Sequence, residues 1–139
     1  MNIDNKLFKS VVAAVPFVDV LTTMLDKNIP LTTNEYNEWG NPNIKKYYDY
    51  ILTYSPYDNI KENVQYPNIL FTGSLYDSQV HYWEPAKMLA KMKEFQKGNN
   101  LLLLKTNLSS GHSGSSDRFI YYKEISYIYL FFLHTLNML

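Results

Sequence analysis

Cysteine is absent from the 139 residues of this chain. That excludes a disulfide framework, a thiolate metal site and a cysteine nucleophile, and it fits a reducing compartment. Excess charge is absent too, because 13 basic and 13 acidic residues cancel. Nothing in that balance suggests a nucleic-acid partner or an anionic membrane surface. The basic-then-apolar pattern of a signal peptide is also missing from Met1–Ser10, which is polar. The expected location is therefore cytoplasmic. The one long apolar stretch, Ile125–Leu139, falls short of the about 20 residues that a spanning helix needs. It is also interrupted by Ser126, His134 and Asn137, and reads as a packed terminal helix, not an anchor. The three histidines show no metal-ligand spacing, so no metal is expected.

What is present is one domain's worth of chain, long enough to bury a core. Val11–Val15 is a short, partly β-branched run stopped by Pro16, and it reads as a buried strand entered from a polar turn at Asn2–Lys6. Residues 17–65 have little clean periodicity. Within them Leu21–Leu25 suits one helical turn and Ile44–Tyr54 a longer helix, bounded by Gly40-Asn-Pro42 and Ser55-Pro56. A long irregular excursion between strands more often lines a site than fills space. Asn68–Thr72 is the next strand, ending at Gly73. Pro85 suits the first turn of a helix whose apolar face is Met88, Leu89, Met92 and Phe95, with Gly98 as its stop. Leu101–Leu104 is a continuous apolar run, as in a strand covered on both faces. A helix from about Arg118 to the end follows. This alternation predicts an α/β fold, a mostly parallel sheet flanked by helices.

Two loops after strand-like runs carry residues suited to catalysis. Asp77 follows the second run, and His112 lies in Ser109-Ser-Gly-His-Ser-Gly114 after the third. A hydroxyl nucleophile needs a base, and the base needs a carboxylate to set its tautomer and stabilise the imidazolium. Asp77 suits the carboxylate's role and His112 the base's. In α/β-hydrolases the acid and the histidine follow successive strands in the order Ser, Asp, His. The first member has no counterpart here, because Gly-x-Ser-x-Gly does not occur. The nearest approach, Gly111-His-Ser-Gly-Ser115, lacks its last glycine. It also puts Ser113 beside the base and out of order, so Ser113 is rejected as a nucleophile.

Longer words narrow the reading. Val15-Pro-Phe-Val-Asp-Val-Leu-Thr-Thr-Met24, Ile29-Pro-Leu-Thr-Thr33, Glu38-Trp-Gly-Asn-Pro42 and Tyr54-Ser-Pro-Tyr-Asp-Asn59 occur in that order. They are followed by Asp77-Ser-Gln-Val80, Tyr82-Trp-Glu-Pro-Ala-Lys87, Asn100-Leu-Leu-Leu-Leu-Lys105 and Ser110-Gly-His112. From about Leu7 to the end the chain resembles the oligopeptidase B branch of the prolyl oligopeptidase family of serine peptidases. The resemblance implies an α/β-hydrolase peptidase domain capped by a β-propeller, cleaving short peptides after Arg or Lys without a cofactor. It makes Asp77 the triad acid and His112 the triad base. It also places substrate-binding carboxylates in Thr33–Trp39, where the family usually has two acids one residue apart. Here the first is Glu35 and the second is replaced by Asn37, while the following acid, Glu38, also occurs in relatives. A carboxylate complements a guanidinium, often bidentately. Losing one acid should weaken a basic preference without abolishing it. Without the resemblance, Glu35 and Glu38 read equally well as an exposed acidic turn.

Gln79 stands where some relatives carry a peptide-gripping Arg, so it is given no role. His81 and His134 read as surface and helix-face residues. The resemblance further implies that the serine, its oxyanion partner and the propeller lie upstream, Met1 matching mid-protein sequence. Residues 1–139 are then expected to be the C-terminal part of the catalytic domain, incomplete without upstream strands: a fragment, an interrupted gene or a mis-called start. Such a piece is expected to be inactive alone. The alternative is a non-catalytic remnant, or the docking half of a split peptidase whose partner is an upstream fragment. A lipase or esterase would share the triad pattern but leaves Glu35 and Glu38 unexplained.

Overall fold

The computed structural model describes all 139 residues. Three parallel strands form one sheet in the order β1-β2-β3: β1 is Ser10–Ala14, β2 is Asn68–Ser74 and β3 is Leu102–Asn107. Register runs Val11 to Ile69 and Ile69 to Leu102, so β2 is the central strand. Between β1 and β2 lie three helices, α1 (Val20–Leu25), α2 (Tyr36–Trp39) and α3 (Lys45–Tyr54). Helix α4 (Trp83–Phe95) joins β2 to β3, and α5 (Arg118–Thr135) follows β3.

The side-chain alternation of β2 divides the molecule. Ile69 and Phe71 face α4 and share a core with Val18, Ile60, Tyr66, Met88, Met92 and Leu102. Leu70 and Thr72 point to the other face, where α5 lies against β1 and β2. A second cluster, Val20, Leu21, Met24 and Ile51, holds α1 against α3. Pro85 sits in the first turn of α4, as its missing N–H allows.

Several expectations need adjustment. Val15 is outside β1: its φ of 46° turns the chain out of the sheet just before Pro16, while its N–H still reaches Thr72 O at 3.1 Å. A β-branched residue at positive φ is strained, costing on the order of 1–3 kcal/mol. Helix α2 was not anticipated, because four residues are too few to show a period. Strand β3 runs three residues beyond the apolar quartet, and Leu103 is 42% exposed. The quartet is thus covered well on the α4 side and only partly on the other. Beside Leu103, Leu104, Tyr127, Leu130 and Phe131 an apolar groove of about 520 Å³ stays open between β3 and α5. Helix α5 has apolar residues all round, yet Phe119, Tyr122, Tyr129 and Leu130 are exposed. No helix is long and apolar enough to cross a membrane.

Candidate active site

Because the strands are parallel, their C-terminal ends share one edge of the sheet, and three loops leave from it. The β2 loop makes a tight turn in which Asp77 N–H donates to Ser74 O. Asp77 is buried, and its Oδ1 accepts the N–H groups of Gln79 at 2.8 Å and Val80 at 2.9 Å. Its Oδ2 accepts His112 Nδ1 at 2.9 Å. Burial alone pushes the Asp77 carboxyl up. The two backbone N–H groups and the His112 ring outweigh it and hold the carboxyl below its ordinary value.

The β3 loop brings His112 to this carboxylate by joining the two loops backbone to backbone. Leu75 N–H donates to Asn107 O at 2.8 Å, Tyr76 N–H donates to Ser110 O at 3.2 Å, and the Ser74 and Ser110 hydroxyls meet at 3.1 Å. Gly111 permits the approach, since a Cβ there would lie 3.3 Å from Tyr76 O. Gly114, at φ +76°, closes the turn that carries His112.

With Nδ1 donating to an ionised carboxylate, the proton-accepting lone pair of the ring is on Nε2. The His112 side chain is 38% exposed, while the Asp77 side chain is wholly covered. One partner is fixed inside and the other opens on a cleft of about 250 Å³, which Val15, Ser113, Gly114, Tyr121 and Glu124 also line. This pair can take a proton from a group in that cleft and stabilise the resulting cation. No serine hydroxyl is hydrogen-bonded to the His112 ring, and Ser113 only lines the cleft.

Glu35 and Glu38 are on the third loop, the one that leaves β1. Glu35 directly precedes α2 without capping it through its side chain, is half-buried, and accepts Trp39 Nε1 at 3.1 Å. Trp39 packs edge-on to Phe17 at 5.7 Å, two residues beyond strained Val15. Glu35 is therefore linked, through its hydrogen bond to Trp39 and the edge-on ring contact, to the strand end that borders the His112 cleft. Glu38 is exposed on α2, as is Asn37, and neither glutamate is hydrogen-bonded to Asp77 or His112. The structure brings Asp77 and His112 into contact and leaves the two glutamates on a separate segment.

Gln79 contributes its backbone N–H to Asp77. His134 is exposed on α5. His81 is less a surface residue than its polar loop suggested: its ring stacks on Trp83 at 4.1 Å and its Nδ1 lies 3.0 Å from Asp77 O. Sequence reasoning also missed a buried ionic cluster. Glu84 Oε2 accepts the N–H groups of Val18 at 3.0 Å and Asp19 at 2.7 Å, and Oε1 accepts the Thr23 hydroxyl. Asp19 caps α1 and pairs with Lys87, whose ammonium lies 4.5 Å from the centre of the Tyr57 ring. Burial would lower the Lys87 pKa, but Asp19, Tyr57 and Glu84 raise it above the ordinary lysine value. The residues were visible in the Val15–Met24 and Tyr82–Lys87 words, though no local pattern marked them as buried.

Comparison with known proteins gives the family and the fold. Residues 1–139 match the sequence model of the prolyl oligopeptidase family. Dipeptidyl aminopeptidase BI from Pseudoxanthomonas mexicana is 50% identical over 99% of the chain, and protease 2 from Moraxella lacunata is 47% identical over 99%. The chain spans 19% and 20% of those two relatives. Oligopeptidase B from Leishmania major superposes with a TM-score of 0.94 at 48% identity, covering 98% of this chain and 19% of that one. Oligopeptidase B from Trypanosoma brucei, in a closed form with covalently bound antipain, gives 0.93 at 47%, with 98% and 19% covered. The sheet and its helices correspond to part of an α/β-hydrolase domain. By its whole-length match and its fold, the chain belongs to the prolyl oligopeptidase family of serine peptidases.

Proposed function

We propose that residues 1–139 form the C-terminal part of the catalytic domain of an oligopeptidase B-type endopeptidase. It cleaves short peptides after Arg or Lys. Asp77 orients His112, His112 is the general base, and Glu35 with Glu38 receives the basic side chain. The observation that carries this reading is the 2.9 Å bond from His112 Nδ1 to buried Asp77 Oδ2. It fixes the tautomer that a serine hydroxyl would need. The basic preference is supported by Glu35, a half-buried carboxylate aimed by the Trp39 indole instead of floating in an exposed turn. The isolated chain should be inactive, since a base and its orienting acid have nothing to activate without a nucleophile.

The test is a pair of assays with an arginyl amide. The purified 139-residue chain should show no hydrolysis. Residues 1–139 exchanged for the matching segment of the Moraxella lacunata protease should give an enzyme that hydrolyses the amide and loses that activity with His112→Ala. Hydrolysis by the isolated chain, abolished by the same substitution, would contradict the assignment. So would a folded exchange protein without activity.

The docking half of a split peptidase is favoured by a different observation. Strand β1 pairs only with β2, so its outer edge is open, and α5 exposes Phe119, Tyr122, Tyr129 and Leu130. On this reading co-expression with an upstream peptidase fragment rescues solubility. A cooperatively folding, soluble monomer that ignores such a fragment would count against it.

A further inference from the structure

Asn107, the last residue of β3, is bonded in three directions. Its carbonyl oxygen accepts Leu75 N–H at 2.8 Å, from the loop that leads to Asp77. Its Oδ1 accepts the N–H of Ser109 at 2.8 Å and the Ser109 hydroxyl at 3.1 Å, which starts the loop that leads to His112. Its Nδ2 donates to Glu124 Oε1 on α5. Glu124 is half-buried, and its Oε2 lies 3.7 Å from where a Cβ on Gly114 would be, against the turn that presents His112. Asn107, Glu124 and His112 line one cleft.

We propose that Glu124, acting through Asn107, is a positioning residue for His112. A free asparagine amide has two orientations, and only one puts Oδ1 toward Ser109. A carboxylate accepts and cannot donate. Glu124 therefore accepts only the NH₂ end, which turns Oδ1 toward Ser109 and fixes the first turn of the His112 loop. The same residue's main chain holds the Asp77 loop. One side chain on α5 thus sets the register between acid and base without touching either. The catalytic consequence rests on the proposed function, but the positioning can be read on the chain itself.

The experiment is proton NMR of the ¹⁵N-labelled full chain, following the His112 Nδ1 proton held by Asp77, with thermal unfolding alongside. Glu124→Ala and Asn107→Asp should each make that proton exchange with water about tenfold faster, the factor set by one hydrogen bond's net contribution. Asn107→Asp keeps the acceptor for Ser109 and replaces the donor to Glu124 with a second carboxylate that repels it, so it breaks the link even where Glu124→Ala unfolds the chain. Glu124→Gln keeps an acceptor oxygen but adds a donor that can pair with the other end of the Asn107 amide, so it should slow the exchange only part of the way back. Asp117→Ala removes the cap of α5, whose side chain accepts Phe119 and Ile120 N–H, and should lower the melting temperature without that effect on His112. Unchanged exchange in Asn107→Asp overturns the positioning, as does an equal acceleration in Asp117→Ala. A wild-type chain with no such proton signal overturns the Asp77–His112 reading as well, which separates the two failures.

Discussion

Asp77 and Glu84 lie seven residues apart on either side of one helix start, and both are buried, at 3% and 2% exposure. Their partners differ. Glu84 ends in the interior: two backbone N–H groups and the Thr23 hydroxyl consume both oxygens. Asp77 gives one oxygen to backbone N–H groups and the other to a histidine that is itself 38% exposed. Burial is the same, so burial does not tell a structural carboxylate from one proposed to act in chemistry. What distinguishes them is whether the chain of hydrogen bonds terminates inside or reaches a titratable group on a cleft. Substitutions at the two positions should separate stability from chemistry.

The largest loss of stability is expected at Glu84→Ala, which strands the buried N–H groups of Val18 and Asp19 and the half-buried Thr23 hydroxyl. Each unsatisfied group costs about 1–3 kcal/mol, so urea unfolding should show a loss of about 3–5 kcal/mol. A loss under about 1 kcal/mol would mean that water replaces the carboxylate and that the segment bearing Val18 is not locked to α4. Lys87→Met comes next. It leaves the Asp19 carboxylate, 1% exposed, without its cation. Because Lys87 is itself a third exposed, the expected cost is about 2 kcal/mol, below that of a fully buried pair. The pH dependence has a definite sign. The folded-state pKa of Lys87 is raised, so its contribution is complete below the ordinary lysine value of about 10.4 and is lost as pH rises through the folded value. That alkaline loss should be missing in Lys87→Met.

This contrast also explains what was legible in the sequence. Strands β1 to β3, helix α4 and helix α5 were marked by short apolar runs or a helical period, signals that live within a dozen residues. The meeting of Asp77 with His112 was legible because each lies in a loop that follows a strand, and parallel strands deliver such loops to one edge. Glu84 was not: its partner Asp19 is 65 positions away, and a glutamate in a first helical turn looks the same whether buried or solvated. Asn107 escaped for a related reason, since its side chain bonds across to α5 and its carbonyl across to the β2 loop. Val15 misled in the other direction. Its type belongs in a strand, yet Pro16 and the turn into the excursion take it to positive φ.

Asp77→Asn should reverse the pattern seen at Glu84. Asparagine keeps an oxygen for Gln79 and Val80, so at neutral pH the expected stability change is only about 1 kcal/mol. The acid limb should change shape instead. With a folded-state pKa held below the ordinary value of about 3.9, the ionised carboxyl contributes stability above that value and loses it as pH falls through the folded one. Unfolding followed over about pH 5 to 1 should show this loss in the wild type and a flatter curve in the variant. In the exchange enzyme the same substitution should lower kcat by on the order of 10³–10⁴, since the base is left in the wrong tautomer. A large stability loss with intact turnover would move Asp77 into the company of Glu84.

Glu35 stands between the two cases, half-buried and held by one indole N–H. Trp39→Phe removes that donor while keeping a ring to face Phe17 and Tyr54, which flank it at 5.7 and 6.4 Å. The stability cost should be about 1 kcal/mol or less, the net worth of one hydrogen bond. If Glu35 receives a basic side chain, a freed carboxylate binds it less well in ground state and transition state alike. KM for an arginyl amide should then rise about threefold in the exchange enzyme with kcat unchanged. Glu38→Gln, at an exposed carboxylate without a partner, should change stability by no more than about 0.5 kcal/mol. Its effect on KM then reports substrate contact alone. A fall in kcat for Trp39→Phe would instead show that the indole holds the strand end at Val15, which borders the His112 cleft, and that Glu35 is its passenger.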